Sequence, residues 1–253
     1  MVLYLDIETR VTRNEFPYAE KALEEISLIQ VVADDAAYVY GVRDFVPQDD
    51  YKIGIEVKYT KCENEKEMLE RFLNLLSVFK PRFVCAWNGI RFDFLYIYNR
   101  LLKHGIDVNR LSYDEDVTLD DNRIVSTNIR YVDLMILYKN LSGVTLKSYS
   151  LDTVSGFELN ETKVKHEEFL DFDSFYTGKN YKIVELPYDD RVREEIRQLK
   201  ILEQMAELGK YEFTEEQRKR MNDLIYFNYV HYGIIDSLLM KKIDKNKELT
   251  AKL

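Results

Sequence analysis

Four acids and one phenol stand at spacings that could build a reaction centre. Asp6 and Glu8 lie two apart in Leu5-Asp6-Ile7-Glu8-Thr9, and Asp93 closes the run Trp87-Asn88-Gly89-Ile90-Arg91-Phe92-Asp93. Tyr232 and Asp236 lie four apart in Tyr232-Gly233-Ile234-Ile235-Asp236. Carboxylates that converge bind hard divalent cations through oxygen, and a pair of such cations is a means of cleaving phosphodiesters. Each acid alone also has a plainer reading. On a strand, Asp6 and Glu8 leave the same face while Ile7 enters the core, but a solvated strand end would look the same. Asp93 follows an Asn-Gly turn near a helix start, where an Asp can merely cap the helix or favour its dipole. On a helix, Tyr232 and Asp236 share a face, and Gly233 leaves room there for a backbone or a substrate.

Those positions need elements to hold them. Val2 to Thr9 reads as a buried strand. Ser27 to Ala33 and Ala37 to Val42, split by Asp34-Asp35, read as a hairpin that forms a three-stranded meander with the first strand; Lys52 to Thr60 reads as an edge strand. Asn64 to Lys80 has the three-and-four apolar spacing of an amphipathic helix stopped by Pro81. Arg82 to Trp87 is a short strand, and Arg91 to His104 a helix ended by Gly105. Val117 to Leu119 and Arg123 to Val125 flank the turn-prone Asp120-Asp121-Asn122, and Arg130 to Leu134 is the last core strand. From Met135 onward the pattern is mainly helical. Ser148 to Val154 reads as a short capped turn, and Glu167 to Tyr176 has no strand period. Arg191 to Leu208 and Glu215 to Ile243 are long helices separated by Gly209. No repeat, low-complexity tract or linker is visible, so the 253 residues predict one α/β domain.

Composition narrows the classes. The chain is 46% hydrophobic and 32% charged with nine Gly and four Pro, which is globular and rich in regular elements. Two cysteines, Cys62 and Cys85, do not make a disulfide framework. No signal-peptide core and no apolar run of membrane-spanning length occur, so a cytoplasmic protein without membrane association is expected. The net charge of −9 opposes a role in coating duplex DNA. Two divalent ions on four carboxylates would nonetheless restore positive charge where a phosphate must sit.

Together the three motifs resemble, in order, those of the DEDDy class of 3′→5′ exonucleases, and more narrowly the proofreading domain of family B DNA polymerases, especially those of T-even-like phages. The likeness continues through Phe16-Pro17, Tyr96-Ile97-Tyr98-Asn99-Arg100, Val132-Asp133-Leu134 with Leu137-Tyr138-Lys139, and Ser148 to Asp152 with Phe157 to Asn160. His231 offers the spacing of the histidine branch of the same superfamily. It lies about 140° around a continuous helix from Asp236, so Tyr232 is preferred.

The resemblance implies an RNase H-like (DnaQ-like) mixed sheet flanked by helices, with a mostly helical C-terminal half. It implies two Mg²⁺ or Mn²⁺ ions held by Asp6, Glu8, Asp93 and Asp236, with Asp6 bridging both and Tyr232 orienting the attacking water. The substrate implied is a single-stranded or frayed DNA 3′ end, in the host cytoplasm if the protein is phage-encoded. Phe16 and Phe92 are stacking candidates and Asn88 a hydrogen-bonding one. Arg91, Arg100 and Lys103 could meet phosphates or form a solvated helix face. Arg191 to Gln217 reads as a helical insertion. No palm-domain string such as DxxSLYP or YxDTD is present, so polymerase activity is not expected of this chain. A polymerase would be its partner, either as a separate subunit or within one longer chain. Two alternatives remain, a non-catalytic polymerase-associated DNA-binding module and an RNA-directed exonuclease; the first has no chemical need for buried like charges.

Overall fold

A computed structural model describes residues 1–11, 17–48, 51, 53–186 and 190–253. The elements run β1 (Val2–Thr9), β2 (Ile26–Val32), β3 (Ala36–Gly41), β4 (Glu56–Lys61), α1 (Glu65–Phe79), β5 (Phe83–Ala86), α2 (Asp93–Lys103), β6 (Thr118–Asp120), β7 (Arg123–Val125), β8 (Arg130–Asp133), α3 (Leu134–Leu141), α4 (Leu151–Leu159), α5 (Phe172–Thr177), α6 (Arg191–Glu207) and α7 (Glu215–Lys247). The described residues group into two compact units. One comprises residues 1–43, 55–163 and 233–253, the other 44–54 and 164–232.

The first unit is a six-stranded mixed sheet in the order β4-β3-β2-β1-β5-β8. β1, β2 and β3 form the antiparallel meander, while β5 joins β1, β8 joins β5 and β4 joins β3 in parallel. β2 is buried along its whole length, as expected of a strand covered on both faces. Leu3, Leu5 and Ile7 alternate onto one face, where Met68, Leu69, Phe72 and Leu76 of α1 and Phe94, Ile97 and Leu101 of α2 complete the main core.

The local chemistry explains the boundaries. Asn64 caps α1 by accepting from Glu67 N at 3.1 Å, and Lys80 closes it in the left-handed conformation before Pro81. β8 ends at Asp133 because that carboxylate accepts from Ile136 N at 3.1 Å and starts α3. The predicted turn at 148–154 is instead the beginning of a full helix. Ser150 caps α4, Leu151 and Val154 bury a stripe, and left-handed Asn160 ends it. The edge strand begins at Glu56, and Lys52 lies outside the described residues.

The Tyr96-to-Arg100 run gains a structural reason. Tyr96, Asn99 and Arg100 share one face of α2 and donate to the carbonyls of Glu24 (2.8 Å), Ala19 (2.9 Å) and Ala22 (3.0 Å). Arg100 therefore does not face phosphate. It is buried, and its guanidinium forks onto both oxygens of buried Glu65, which also accepts from Ile26 N at 2.8 Å and bonds His104 Nε2 at 2.6 Å. Lys103 donates to Ala22 O at 2.7 Å though its side chain is exposed, as is Arg91.

The second unit contains the predicted helical material of 191–217 as α6 and the start of α7. Its interior is aromatic: Phe172, Phe175, Tyr176, Tyr226 and Tyr229 meet at centroid distances of 5.1–6.3 Å. Arg193 forks onto fully buried Glu168 at 3.0 and 2.6 Å. Arg220 and Tyr51 both bond Glu195, each at 2.8 Å.

Removing one member of a buried ion pair strands the other. Arg100→Met is predicted to lower the unfolding free energy by about 3–5 kcal/mol in a urea titration. A loss below about 1 kcal/mol would mean that Glu65 finds solvent or other donors instead.

Candidate functional site

The face of β1 opposite the main core carries Tyr4, Asp6 and Glu8. Residues 233–247 of α7 lie over it. Tyr4 Oη donates to Asp244 Oδ2 at 2.7 Å, and Lys241 Nζ donates to the carbonyls of Ala33 (2.6 Å) and Asp34 (2.7 Å) at the end of β2. These bonds fix the helix along the strand, and Asp236 sits two turns before Asp244, about 12 Å up the axis.

Gly233 permits the close approach. A Cβ there would stand 2.1 Å from Gln30 Nε2. Gln30 is fully buried, is the register partner of Asp6 across β1 and β2, and donates Nε2 to Asp6 Oδ2 at 2.6 Å. The space at Gly233, which the sequence suggests as room for a backbone or substrate, is filled by this side chain.

Asp93 is brought in by the turn after β5. Asn88 takes the left-handed conformation (φ 63°) and its carbonyl accepts from Arg91 N and Phe92 N, each at 3.1 Å. At Gly89 a Cβ would lie 2.7 Å from both Ala86 Cβ and the Phe94 ring, so only glycine lets the turn fold back. Asp133 steadies it from β8 by accepting from Ile90 N at 3.3 Å. Asp93 is the first residue of α2 rather than its cap, and its Oδ1 accepts from Ile7 N at 3.3 Å, between Asp6 and Glu8.

The four acids therefore share one electrostatic environment. Glu8, Asp93 and Asp236 are buried and Asp6 is partly so. Burial, followed by the charges of Asp236 and Asp93, pushes Asp6 well above the usual carboxylate range. Burial and then Asp6 and Asp236 do the same to Glu8. Asp93 is raised from 3.8 to about 7, chiefly by burial, with the neighbouring Asp133 and Asp236 adding to it.

Opposing these effects is Lys163, whose Nζ stands 2.5 Å from Asp236 Oδ2 and lowers both Asp6 and Glu8. Its backbone is tied to α4 by Lys163 N donating to Asp152 Oδ1 at 3.0 Å, and Glu161 bonds Lys242 of α7 at 2.5 Å nearby. With Asp236 turned to Lys163, Asp6 to Gln30 and Asp93 to Ile7 N, no three acid, imidazole or thiol groups among the described residues stand in a ready metal-ligating arrangement. The donor set is nonetheless all carboxylate oxygen, which suits Mg²⁺ or Mn²⁺ over softer ions.

The remaining candidates sit in different surroundings. Tyr232 lies on α7 one turn before Asp236, and in the second unit its ring meets His166, Phe172 and Phe175 edge-on at 5.3, 5.4 and 6.2 Å. His231 points elsewhere, its ring 6.1 Å from Phe227, and burial lowers it from 6.5 to about 4. Phe92 is half-buried and packs on Tyr96 at 5.3 Å. Asn88 has the structural duty already described, and Phe16 lies outside the described residues.

Gln30 and Lys163 are additions that the motifs do not supply. Gln30 has a signal in the sequence, being the lone amide in the apolar run Ile26-Ser27-Leu28-Ile29-Gln30-Val31-Val32. Lys163 has none, since it sits in a segment without periodicity.

A mixed sheet flanked by helices, with acids on its central strand and on a helix laid across it, is the architecture of RNase H-like exonucleases. Residues 1–154 match the family DNA polymerase family B, exonuclease domain, and the chain belongs to that family. The DNA-directed DNA polymerase of Escherichia phage RB69 is 32% identical over 122 residues, covering 44% of this chain and 14% of its own length. That of Enterobacteria phage T4 is 26% identical over 197 residues, covering 64% and 21%. The catalytic polypeptide of DNA polymerase epsilon from Saccharomyces cerevisiae is 26% identical over 116 residues, covering 43% and 5%. The chain thus spans about a fifth or less of these relatives. Among the described residues no helix is long and apolar enough to cross a membrane.

An acid whose value is raised on folding stabilises the fold below its unfolded value, and this contribution is lost as pH rises through the folded value. For Asp93 the window runs from 3.8 to about 7. The metal-free chain is predicted to melt at progressively lower temperature across it, and Asp93→Asn to flatten that slope. Parallel melting curves for the two proteins would contradict the assignment.

Proposed function

We propose that this chain is a divalent-metal-dependent 3′→5′ exonuclease that removes nucleotides from single-stranded or frayed DNA 3′ ends. The observation that carries the proposal is the crowding of Asp6, Glu8, Asp93 and Asp236 from three separate elements, each of the first three raised by its neighbours or by burial, with Lys163 as the counter-charge. Structural stability gives no reason to gather such charges, because buried acids crowded together repel one another and are costly. A site that binds cations does.

Asp6, Glu8, Asp93 and Asp236 would hold the ions, with Asp6, central on β1, serving both. When bound, the divalent ions supply Lewis-acid polarisation of the scissile phosphodiester and lower the pKa of an attacking water. The chain's own residues then do the positioning. Tyr232, one helical turn before Asp236, orients the attacking water through its hydroxyl. Lys163 Nζ balances the charge of Asp236. Phe16 and Phe92 stack on the terminal bases and Asn88 hydrogen-bonds beside them, which suits sequence-tolerant binding of a single strand.

The relatives are DNA polymerases, which supports proofreading as the setting, with the polymerase in the same longer chain or as a separate protein. The test uses 3′-labelled primers with matched and mismatched ends, single-stranded DNA and RNA, in Mg²⁺. Stepwise shortening of DNA from the 3′ end is expected, fastest on mismatched or single-stranded ends. Asp6→Ala or Asp236→Asn is predicted to slow it on the order of 10²–10³-fold, the scale of several kcal/mol of lost transition-state stabilisation. Tyr232→Phe is expected to lower kcat with little change in KM. Undiminished cleavage by Asp6→Ala would overturn the proposal, and a preference for RNA would redirect it to RNA 3′ ends.

A further inference from the structure

We infer that Gln30 is a positioning residue for Asp6, and that Gly233 exists to make room for it. The inference rests on the carboxylates holding divalent ions as proposed above. Gln30 is the one carboxamide in the buried strand β2, fully shielded from solvent and directly opposite Asp6 in the antiparallel ladder. Its Nε2 donates to Asp6 Oδ2 at 2.6 Å. The same amide leaves Oε1 buried with no hydrogen-bond partner among the described residues. A residue kept only to fill space would be Leu or Met, which pack there without an unpaired polar atom.

The amide does what a charged partner could not. It holds one carboxylate oxygen by hydrogen bonding without neutralising the charge, so Asp6 keeps its full attraction for a cation while its rotamer is fixed. The remaining oxygen, Oδ1, is then presented in one orientation rather than several. Residues that orient a ligand in this way commonly change metal affinity when removed.

Gly233 belongs to the same device. An alanine Cβ would meet Nε2 at 2.1 Å and the amide carbon at 2.6 Å, so any side chain would push the carboxamide off Asp6 or lift α7 off the sheet. Gly233 is also three residues before Asp236 on that helix. One glycine thereby sets both how Asp6 is held and how closely Asp236 approaches.

The experiment measures Mn²⁺ binding by electron paramagnetic resonance, and melting temperature without metal, for the 253-residue chain and three variants. Gln30→Met keeps the volume and removes the donor; it is expected to bind Mn²⁺ about tenfold or more weakly while melting at or above the parent temperature. Gly233→Ala is expected to lose both binding and stability. In Gly233→Ala with Gln30→Ala, the clash is gone but so is the donor, so stability should recover and binding should not. Parent-like Mn²⁺ binding by Gln30→Met, or binding that follows stability through all three variants, would overturn the inference and leave the metal proposal standing. Absence of Mn²⁺ binding by the parent chain would overturn both.

Discussion

Like charges do not share a buried surface unless something of opposite sign joins them, and this constraint governs the chain. Asp6, Glu8, Asp93 and Asp236 are pressed against a sheet covered on both faces, where the dielectric is low and the repulsion correspondingly large. Lys163 at 2.5 Å from Asp236 offsets part of it. The remainder shows in acids that hold their protons far above the usual range. Much of the surrounding fold is arranged so that this unfavourable cluster cannot relax. Tyr4 and Lys241 fasten α7 to the sheet, Gln30 holds Asp6, and Asp133 braces the turn that delivers Asp93.

The sheet supplies the rigidity that such an arrangement needs. Parallel β5, with β8 beyond it, on one side of β1 and antiparallel β2 and β3 on the other leave it central, with neither edge free. The alternation of a single strand then separates duties: Leu3, Leu5 and Ile7 build the core, while Tyr4, Asp6 and Glu8 serve the opposite face. Membership in the family B polymerase exonuclease domains agrees with this design, in which strand, turn and helix each contribute acids to one place.

Local patterns announce most of the fold. The meander, the amphipathic helix after Asn64 and the turn at Asn88-Gly89 follow from apolar period, capping chemistry and breaker residues, all of which act within a few positions. The four acids are legible for the same reason, as spacings within motifs. What the sequence leaves open depends on tertiary contact. Arg100 resembles a surface cation on a helix, and only the fold brings Glu65 beneath it. The helix over 151–159 has a short apolar stripe, and its ends are set by caps at Ser150 and Asn160 rather than by a long period. Gly233 suggests an opening because nothing local says that a residue some two hundred positions earlier occupies it. Lys163 has no local signature at all; its meaning lies entirely in which carboxylate it meets.

The most direct measurement is the anomalous scattering of Mn²⁺ in crystals of the chain. The carboxylate cluster should bind two ions, with Asp6 contacting both, Glu8, Asp93 and Asp236 completing the set, and the Lys163 ammonium displaced from Asp236. Scattering peaks elsewhere on the surface, with Lys163 still paired to Asp236 and none beside Asp6, would contradict the assignment of these acids as a metal centre.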